Sequence, residues 1–387
     1  MANNTIRLLT PGPTPLPENV RLSLARDMIH HRKDEFKAIM GRCQENLRHL
    51  FGTSQEVLTL TSSGTGAMDA AVTNLFQAGD RVAVVDGGKF GERWLELARN
   101  YQLEPVRIAA PWGQAVTIDQ VRDVLADTTI KGLLVQASET STGVRHPIQK
   151  IGELTATSDC LLVVDGISAL GISPCPMDKW HIDCLLTGSQ KGLMLPPGLA
   201  FLALSERAWE KAEKNPCPYY FNLVAERRQC RMGQSLFTPA INLIVALETS
   251  LQEFAGPNLQ AVYQKQWALT QMVRAGVTSI GLPLLAPTDY TWGLTSVCLP
   301  QGIDGGKLLK IASERYGVYF AGGQGELKNR AVRIGHMGHV DWGDMLAGLY
   351  ALYSSFTACG GHSGARDYQE SAMRAYETAL ENWEEAI

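Results

Sequence analysis

A chain of 387 residues is longer than one ordinary domain, and its 45% hydrophobic and 19% charged residues are typical of a globular protein with a large core. The formal net charge of −4 does not favour nucleic-acid binding, and no apolar run approaches the length of a membrane span. The first residues lack the basic and long apolar regions of a signal peptide, so we expect a cytosolic protein.

The chain begins with a segment rich in Pro and Gly, and we predict an arm without regular structure over residues 1–20. Short apolar runs then alternate with helical patterns. Strand-like runs cover 57–60, 81–86, 132–137, 160–165, 183–188 and 199–204, and helix-like periodicity covers 65–76, 91–101, 118–126 and 147–157. This alternation predicts an α/β fold, with a large domain whose mostly parallel sheet is covered by helices on both faces.

A long helical pattern over 239–254 leads into a second, smaller α+β domain at the C-terminal end. That domain has strand signals at 294–299 and 331–335, and helical signals at 305–315 and 341–355. From Asp367 onward the chain is typical of a polar amphipathic helix on the surface or at a subunit contact. We therefore predict an arm over 1–20, a large domain over 21–257 and a small domain with a terminal helix over 258–387.

The cysteines and histidines give no sign of a metal or disulfide framework. The eight cysteines are scattered without a C-x-x-C pair, and the eight histidines lack the usual ligand spacing. Free thiols are the expectation for such a chain, and no metal site is predicted.

Polar residues follow several of the predicted strands, at the sheet edge where ligands bind in open parallel sheets. Asp165 ends one apolar run, and Lys191 follows the next in the stretch LLTGSQKG. A buried carboxylate at a strand end needs a partner, such as a protonated pyridine nitrogen, although it could simply cap the following turn. Lys191 could equally be an ordinary surface lysine.

Two further loops add weak signals of their own. The loop SSGTGA (62–67) follows a strand and opens a helix, which suits a phosphate monoester, although a simple helix cap is an even alternative. Phe90 stands at a loop-to-helix boundary, where it could stack on a flat ring or pack in the core.

The last two signals concern hydroxyl groups and a cation. The run ETSTG (139–143) offers hydroxyl groups to a ring oxygen or a substrate. Arg333 offers a guanidinium group with paired N–H donors, which suits a substrate carboxylate or a surface ion pair. Taken together, the signals describe one ligand, pyridoxal phosphate, with Lys191 as the amine that forms a Schiff base with its aldehyde.

The runs TPGPTPLP, SSGTGA, GGKFGER, ETSTG, VVDGISALG, TGSQKGLMLPPG and RIGHMG resemble the class V aminotransferases, above all the alanine/serine–glyoxylate (serine–pyruvate) group. The resemblance extends from about Leu8 to Tyr353. It implies the fold-type I architecture of pyridoxal-phosphate enzymes and a homodimer.

The resemblance also assigns roles to individual residues, and each is an expectation here. It implies that Lys191 is the Schiff-base lysine, that Asp165 pairs with the pyridine nitrogen, and that Arg333 holds the substrate carboxylate. Gly12 would border the substrate. The implied cofactor contacts are Ser63, Gly64 and Thr65 at the phosphate, Phe90 and Ile167 on the two ring faces, Thr140 or Ser141 at the ring hydroxyl, Gln190 beside the lysine, and Thr238 at the neighbouring subunit's phosphate. The family often has Tyr near this last position, where this chain reads GQSLFTPA.

The implied reaction is a ping-pong transamination between alanine or serine and a 2-oxo acid such as glyoxylate or pyruvate. An alternative is another class V reaction, such as cysteine desulfuration or a lyase step. Desulfurases of this class usually carry His before the lysine, where this chain has Gln190, and they need a mobile cysteine, for which Cys298 and Cys359 are the candidates. A third hypothesis, an electron-transfer component, requires clustered cysteine ligands.

Overall fold

The structure is a computed structural model that describes residues 6–216, 218–362 and 367–383. The helices are α1 (Glu18–Leu24), α2 (Asp34–Phe51), α3 (Gly64–Leu75), α4 (Lys89–Asn100), α5 (Ile118–Leu125), α6 (Ile148–Thr155), α7 (Glu206–Lys214), α8 (Leu223–Cys230), α9 (Ile241–Leu251), α10 (Asn258–Ile280), α11 (Gly305–Tyr316), α12 (Trp342–Ala358) and α13 (Tyr368–Glu381). Short 3₁₀ helices cover Gln252–Phe254 and Gly325–Leu327.

The strands are β1 (Arg7–Leu8), β2 (Val57–Ser62), β3 (Arg81–Asp86), β4 (Glu104–Ala109), β5 (Ile130–Gln136), β6 (Ser138–Glu139), β7 (Val144–Arg145), β8 (Leu161–Asp165), β9 (Cys184–Gly188), β10 (Gly198–Leu204), β11 (Leu294–Cys298), β12 (Val318–Tyr319), β13 (Ala321–Gly322) and β14 (Ala331–Gly335).

Seven strands form the central sheet, in the order β2-β10-β9-β8-β5-β3-β4. Strand β10 runs antiparallel to both of its neighbours, and the remaining pairs are parallel. The sheet is therefore mostly parallel, as the sequence predicts, and the six predicted strands all form within two residues of their expected limits.

Alternate side chains of each inner strand enter different hydrophobic clusters. In β8, Leu162 and Val164 belong to one cluster, whereas Leu161 and Val163 belong to another. Because neighbouring side chains of a strand point to opposite faces, both faces of the sheet are covered. This double burial explains why the strand reads as the continuous apolar run LLVVD.

The N-terminal arm differs from its prediction, because it contains regular structure. Strand β1 pairs in parallel with β12, far along the chain, and helix α1 begins at Glu18. Leu9, only 1% exposed, lies in a cluster formed mainly by residues of the C-terminal part of the chain. Pairing with a distant strand leaves no local periodic signal, which is why the sequence pattern suggested an irregular arm. The predicted domain boundaries remain predictions.

Several elements were not predicted from the sequence, among them strand β4 and the helices α2, α7, α8 and α10. Strand β4 lies at the sheet edge and exposes several side chains, so its sequence EPVRIA lacks the apolar run of an inner strand. Helix α2 packs with Phe36, Leu47 and Phe51 buried. The helix predicted over 239–254 is shorter than expected, because α9 ends at Leu251 and continues as a 3₁₀ turn.

The smaller C-terminal part contains the three-stranded sheet β11-β14-β13 and the helices packed on it. Helix α13 begins within a residue of the predicted start, and it packs on α10 with Tyr368 and Ala372 buried. Among the residues that the structure describes, no helix is both long and apolar enough to cross a membrane.

Candidate active site

Lys191 follows β9 and is enclosed by the N-terminal arm. Its Nζ atom donates a hydrogen bond to the carbonyl of Pro11, and its own carbonyl accepts one from the Thr14 hydroxyl at 3.0 Å. Gly12 lies directly against the amine, because a Cβ atom there would stand 2.5 Å from Nζ. Burial, helped by the charge of Arg333, lowers the pKa of Lys191 to about 8. A neutral, nucleophilic amine is therefore accessible near neutral pH.

Asp165 lies at the carboxyl end of β8, and its side chain is 4% exposed. Its Oδ1 atom accepts the backbone N–H of Ile167 at 2.8 Å, which leaves Oδ2 for another donor. Burial, reinforced by the charge of Glu139, raises the pKa of Asp165 to about 6, against the opposing effects of Ile167, Arg93 and Lys191. A cationic N–H group placed against Oδ2 would stabilise the ionised carboxylate.

The loop after β2 places a free helix N-terminus near these two residues. Ser63 precedes α3 in an extended conformation, and its side chain accepts no hydrogen bond from the helix. The first amides of an α-helix have no acceptor within the helix, so this end can bind an anion. The Thr65 hydroxyl accepts a hydrogen bond from Arg93 Nη1 at 3.2 Å.

The region where Gly64, Ile167 and Gln190 meet contains a buried polar atom without a hydrogen-bond partner, and it is tightly packed. Gln190 Oε1 is buried and accepts no hydrogen bond from the described residues. A Cβ atom at Gly188 would stand 2.9 Å from Gln190 Oε1 and 3.3 Å from the Gly64 amide, and one at Gly64 would stand 2.4 Å from Ile167 Cδ1. The backbone at Gly64 and Gly188 therefore lies close to the Ile167 and Gln190 side chains, and the three groups meet at one place. A phosphorylated ring bound here would supply the hydrogen-bond donor that Gln190 Oε1 lacks.

Glu139 is the main residue that the sequence analysis missed. It is fully buried at 0% exposure, yet no cation within 4.0 Å pairs with it in the described parts of the chain. Its carboxylate instead accepts hydrogen bonds from five donors at 2.5–3.3 Å: the Phe90, Gly91 and Ser141 amides, the Ser141 hydroxyl and Gln136 Nε2. An acidic residue at or near the end of a buried strand, as at Asp165, was the signal that could have found it.

These bonds make Glu139 the anchor of two site elements. It holds the N-terminus of α4, where Phe90 lies, and it holds the loop that contains Thr140 and Ser141. Burial raises the pKa of Glu139, whereas the bonds from Ser141, Gly91 and Phe90 favour its charged form.

Replacement of Glu139 by Gln tests this anchor. The amide NH₂ would face backbone donors, so the free energy of unfolding is expected to fall by about 1–3 kcal/mol, the cost of unsatisfied buried groups. Urea denaturation of both proteins measures the change. Glu92→Gln is the control, because Glu92 lies on α4, the helix whose N-terminus Glu139 holds, in a partly exposed pair with Lys89. Equal losses in the two variants would contradict the role of Glu139.

Arg333 approaches the site from β14. Its Nη1 atom donates to the Thr140 carbonyl at 3.1 Å, and its Nε atom donates to the Gly322 carbonyl at 2.9 Å. The side chain is 7% exposed, and no carboxylate within 4.0 Å pairs with it in the described ranges. Burial lowers the pKa of Arg333. A buried guanidinium fixed by two carbonyls, with donors to spare, is suited to an incoming carboxylate.

The two hydroxyls predicted at the ring oxygen are both engaged. The Thr140 hydroxyl donates to Ser168 Oγ at 3.0 Å, and the Ser141 hydroxyl donates to Glu139 Oε1 and accepts the Lys89 amide. Each can still accept a further hydrogen bond through its oxygen. The choice between Thr140 and Ser141 as the ring contact therefore remains a prediction.

Thr238 is exposed and lines a surface cavity with Thr61, Tyr220 and Phe237. It makes no hydrogen bond with the part of its own chain that the structure describes. Its predicted contact lies on the neighbouring subunit, so it remains a prediction too.

The cysteines do not form a redox or metal centre within the described ranges, where all seven are free thiols and no cluster of metal ligands occurs. Cys298 lies at the end of β11, and Cys359 follows α12. Burial raises the pKa of both thiols, which disfavours the reactive thiolate that a desulfurase requires.

A mostly parallel sheet covered on both faces, with a buried lysine and aspartate at its carboxyl edge and an open helix N-terminus beside them, is the arrangement of the fold-type I enzymes. The family model described as aminotransferase class V matches residues 19–328, and the chain belongs to this family.

Three relatives illustrate its range. The Synechococcus sp. (strain PCC 6716) protein named soluble hydrogenase, small subunit, is 39% identical over 92% of this chain and 97% of its own. Serine–glyoxylate aminotransferase of Hyphomicrobium methylovorum is 33% identical over 87% of this chain and 86% of its own. The crystal structure of alanine–glyoxylate aminotransferase from Nostoc sp. superposes with a TM-score of 0.87 at 28% identity, covering 92% and 96% of the two chains.

Proposed function

We propose that this chain is a pyridoxal-phosphate-dependent aminotransferase that transfers the amino group of alanine or serine to glyoxylate or pyruvate. The observation that carries the proposal is the placement of Lys191, which presents a buried amine with a lowered pKa between Gly12 and the edge of the sheet. The names of the glyoxylate-using relatives support the choice of substrates.

The residues fit the cofactor at each of its functional groups. Ser63, Gly64 and Thr65 would hold the phosphate, with Gln190 close to them and Thr238 reaching it from a second subunit. Asp165 would accept the pyridine N–H through Oδ2, while Phe90 and Ile167 would cover the two faces of the ring. When bound, pyridoxal phosphate supplies an aldehyde that combines with amines and a ring that withdraws electrons from the substrate α-carbon.

The protein's own groups would then handle the substrate and its protons. Arg333 would bind the α-carboxylate and so orient the substrate. The Lys191 amine, once free of the cofactor, would take the proton from the substrate α-carbon. It would then deliver a proton to the carbon atom of the cofactor's aldehyde group. Asp165 would keep a proton on the ring nitrogen by remaining ionised.

Assays of each amino donor against each acceptor test the proposed reaction. Alanine and serine are expected to support turnover with glyoxylate or pyruvate. Double-reciprocal plots of the initial rate against the donor concentration, at several fixed acceptor concentrations, are expected to give parallel lines, as for a ping-pong mechanism. L-Aspartate and L-cysteine serve as further donors. Turnover with aspartate alone would overturn the substrate choice, and sulfide release from cysteine without transamination would favour the desulfurase alternative.

We also propose that the enzyme works as a homodimer in the cytosol. Tyr219 is 86% exposed and Tyr220 52% exposed, next to Phe237 and the predicted intersubunit residue Thr238. Exposed aromatic clusters of this kind are typical of protein interfaces. The free thiols suit a reducing compartment.

Arg333→Lys tests the proposed carboxylate contact. Lysine retains the charge but loses the fork and both carbonyl anchors, so kcat/KM is expected to fall about 10-fold or more for every amino and keto acid. Steady-state kinetics with each substrate measures the change. Arg330→Lys, an exposed position on the same segment, is the control. A loss limited to one substrate would make Arg333 a selectivity residue instead.

A further inference from the structure

The proposed phosphate site has a charge deficit. A phosphate monoester carries about −1.5 to −2 charge at neutral pH. The predicted phosphate contacts Ser63, Gly64, Thr65 and Thr238 are all uncharged, and a helix N-terminus contributes only about half a positive charge. Neutral donors and the helix end therefore leave about 1 to 1.5 negative charges without compensation in a partly buried site, where such a charge is costly.

Arg93 is the cation that touches this site. It lies on α4, one turn after Phe90, and its Nη1 atom donates to the Thr65 hydroxyl at 3.2 Å. Among the described residues, the Arg93 side chain makes no other hydrogen bond, and none of their carboxylates lies within 4.0 Å of it. Lys89, on the same helix, is by contrast paired with Glu92.

The position of the guanidinium is also constrained by packing. Its central carbon lies 4.8 Å from the centre of the Phe90 ring, so the side chain extends along that ring toward the phosphate loop. Its charge reaches the reacting groups as well. It lowers the pKa of Lys191, after burial and Arg333, and it opposes the rise in the pKa of Asp165 that burial causes.

We propose that Arg93 is the counter-ion of the cofactor phosphate, binding it together with the N-terminus of α3. This inference rests on the proposed function, because it assumes that a phosphorylated cofactor occupies the site. Arg93 then acts on binding of the phosphate group and has no role in recognising the ring or the amino acid. The prediction that follows is selective: loss of Arg93 weakens binding of phosphorylated ligands and spares their unphosphorylated analogues.

The experiment compares two ligands on cofactor-free protein. Dissociation constants for pyridoxal phosphate and for pyridoxal are measured by absorbance titration of the wild type, Arg93→Met and Arg93→Lys. For Arg93→Met, binding of pyridoxal phosphate is expected to weaken about 10- to 100-fold, the usual effect of losing a charged hydrogen bond, while binding of pyridoxal changes less than about twofold. Arg93→Lys is expected to lie between the wild type and Arg93→Met, because it retains the charge but loses the fork.

Arg99→Met is the matched control, since Arg99 is an exposed arginine on the same helix. It is expected to bind both ligands like the wild type. Inorganic phosphate provides a second probe on the unmodified protein: it is expected to compete with pyridoxal phosphate, and its inhibition constant is expected to rise in Arg93→Met. Competition in the wild type that Arg93→Met leaves unchanged would overturn the proposal.

Two other outcomes would also overturn it. Equal weakening of pyridoxal and pyridoxal phosphate would mean that Arg93 supports the Phe90 ring or the local fold. Unchanged affinity for both, with a raised KM for amino acids, would make Arg93 a substrate contact. Failure of the wild type to bind pyridoxal phosphate would refute the proposed function itself, which distinguishes that failure from a failure of the Arg93 assignment.

Discussion

Lys191→Ala is expected to abolish covalent capture of pyridoxal phosphate and to reduce transamination by about 10³-fold or more, because one side chain provides both the amine and the proton transfer. The variant is still expected to bind the cofactor, since Asp165, Phe90 and the α3 N-terminus do not depend on the lysine. After borohydride reduction, peptide mapping of the wild type should find a pyridoxyl group on Lys191. The variant should carry none.

A second measurement separates the two roles of Lys191. Exchange of the α-proton of alanine in deuterated water, followed by NMR, reports proton transfer independently of covalent capture, and Lys191→Ala is expected to lose both. Lys179→Ala is the control, because Lys179 is an exposed lysine with no predicted role in the site. A pyridoxyl group on Lys179 or Lys89 of the wild type would overturn the assignment and the mechanism with it.

The lowered pKa of Lys191 predicts a pH dependence. The neutral amine is the nucleophile, and it predominates only above the pKa of about 8. The rate at which cofactor-free wild-type protein captures pyridoxal phosphate is therefore expected to rise as the pH is raised toward 8 and to level off above it. A rate that continues to rise up to pH values near the ordinary lysine pKa would show that the amine is not perturbed.

Asp165→Asn is expected to lower turnover about 100-fold or more, because it removes the buried negative charge that would keep the ring nitrogen protonated. That charge is already in position before the reaction begins, so the protein does not have to rearrange to use it. Asparagine can still accept the Ile167 amide through its oxygen, so the fold and the turn after β8 should persist. Turnover with the preferred substrates and circular dichroism measure the two effects. Asp119→Asn, at an exposed helix position, is the control.

The raised pKa of Asp165 gives this variant a second signature. In the cofactor-free site the carboxyl becomes protonated as the pH falls through about 6, so wild-type affinity for the cofactor is expected to decline over that range. Asp165→Asn should lack this component of the pH dependence. Near-normal turnover and an unchanged pH profile in the variant would mean that Asp165 only caps the turn before Ser168.

The sequence by itself determined the large sheet and the edge on which the site lies. Apolar runs such as LLVVD are local patterns, and their lengths set the limits of β8 and β9 to within a residue. Asp165 ends β8 and Lys191 lies three residues after β9, so their placement at one edge follows from the parallel arrangement. The site motifs were recognisable because each is a short continuous segment.

Only the tertiary structure decided which distant groups complete the site. Pro11 and Gly12 reach Lys191 across about 180 positions of chain, Arg333 reaches the Thr140 carbonyl across 193, and β1 pairs with β12. The direction of β10 was likewise undetermined, because alternation of side chains is the same in either direction. Glu139 and Arg93 gain their roles from neighbours that local periodicity does not specify, since such contacts arise when separately patterned elements pack together.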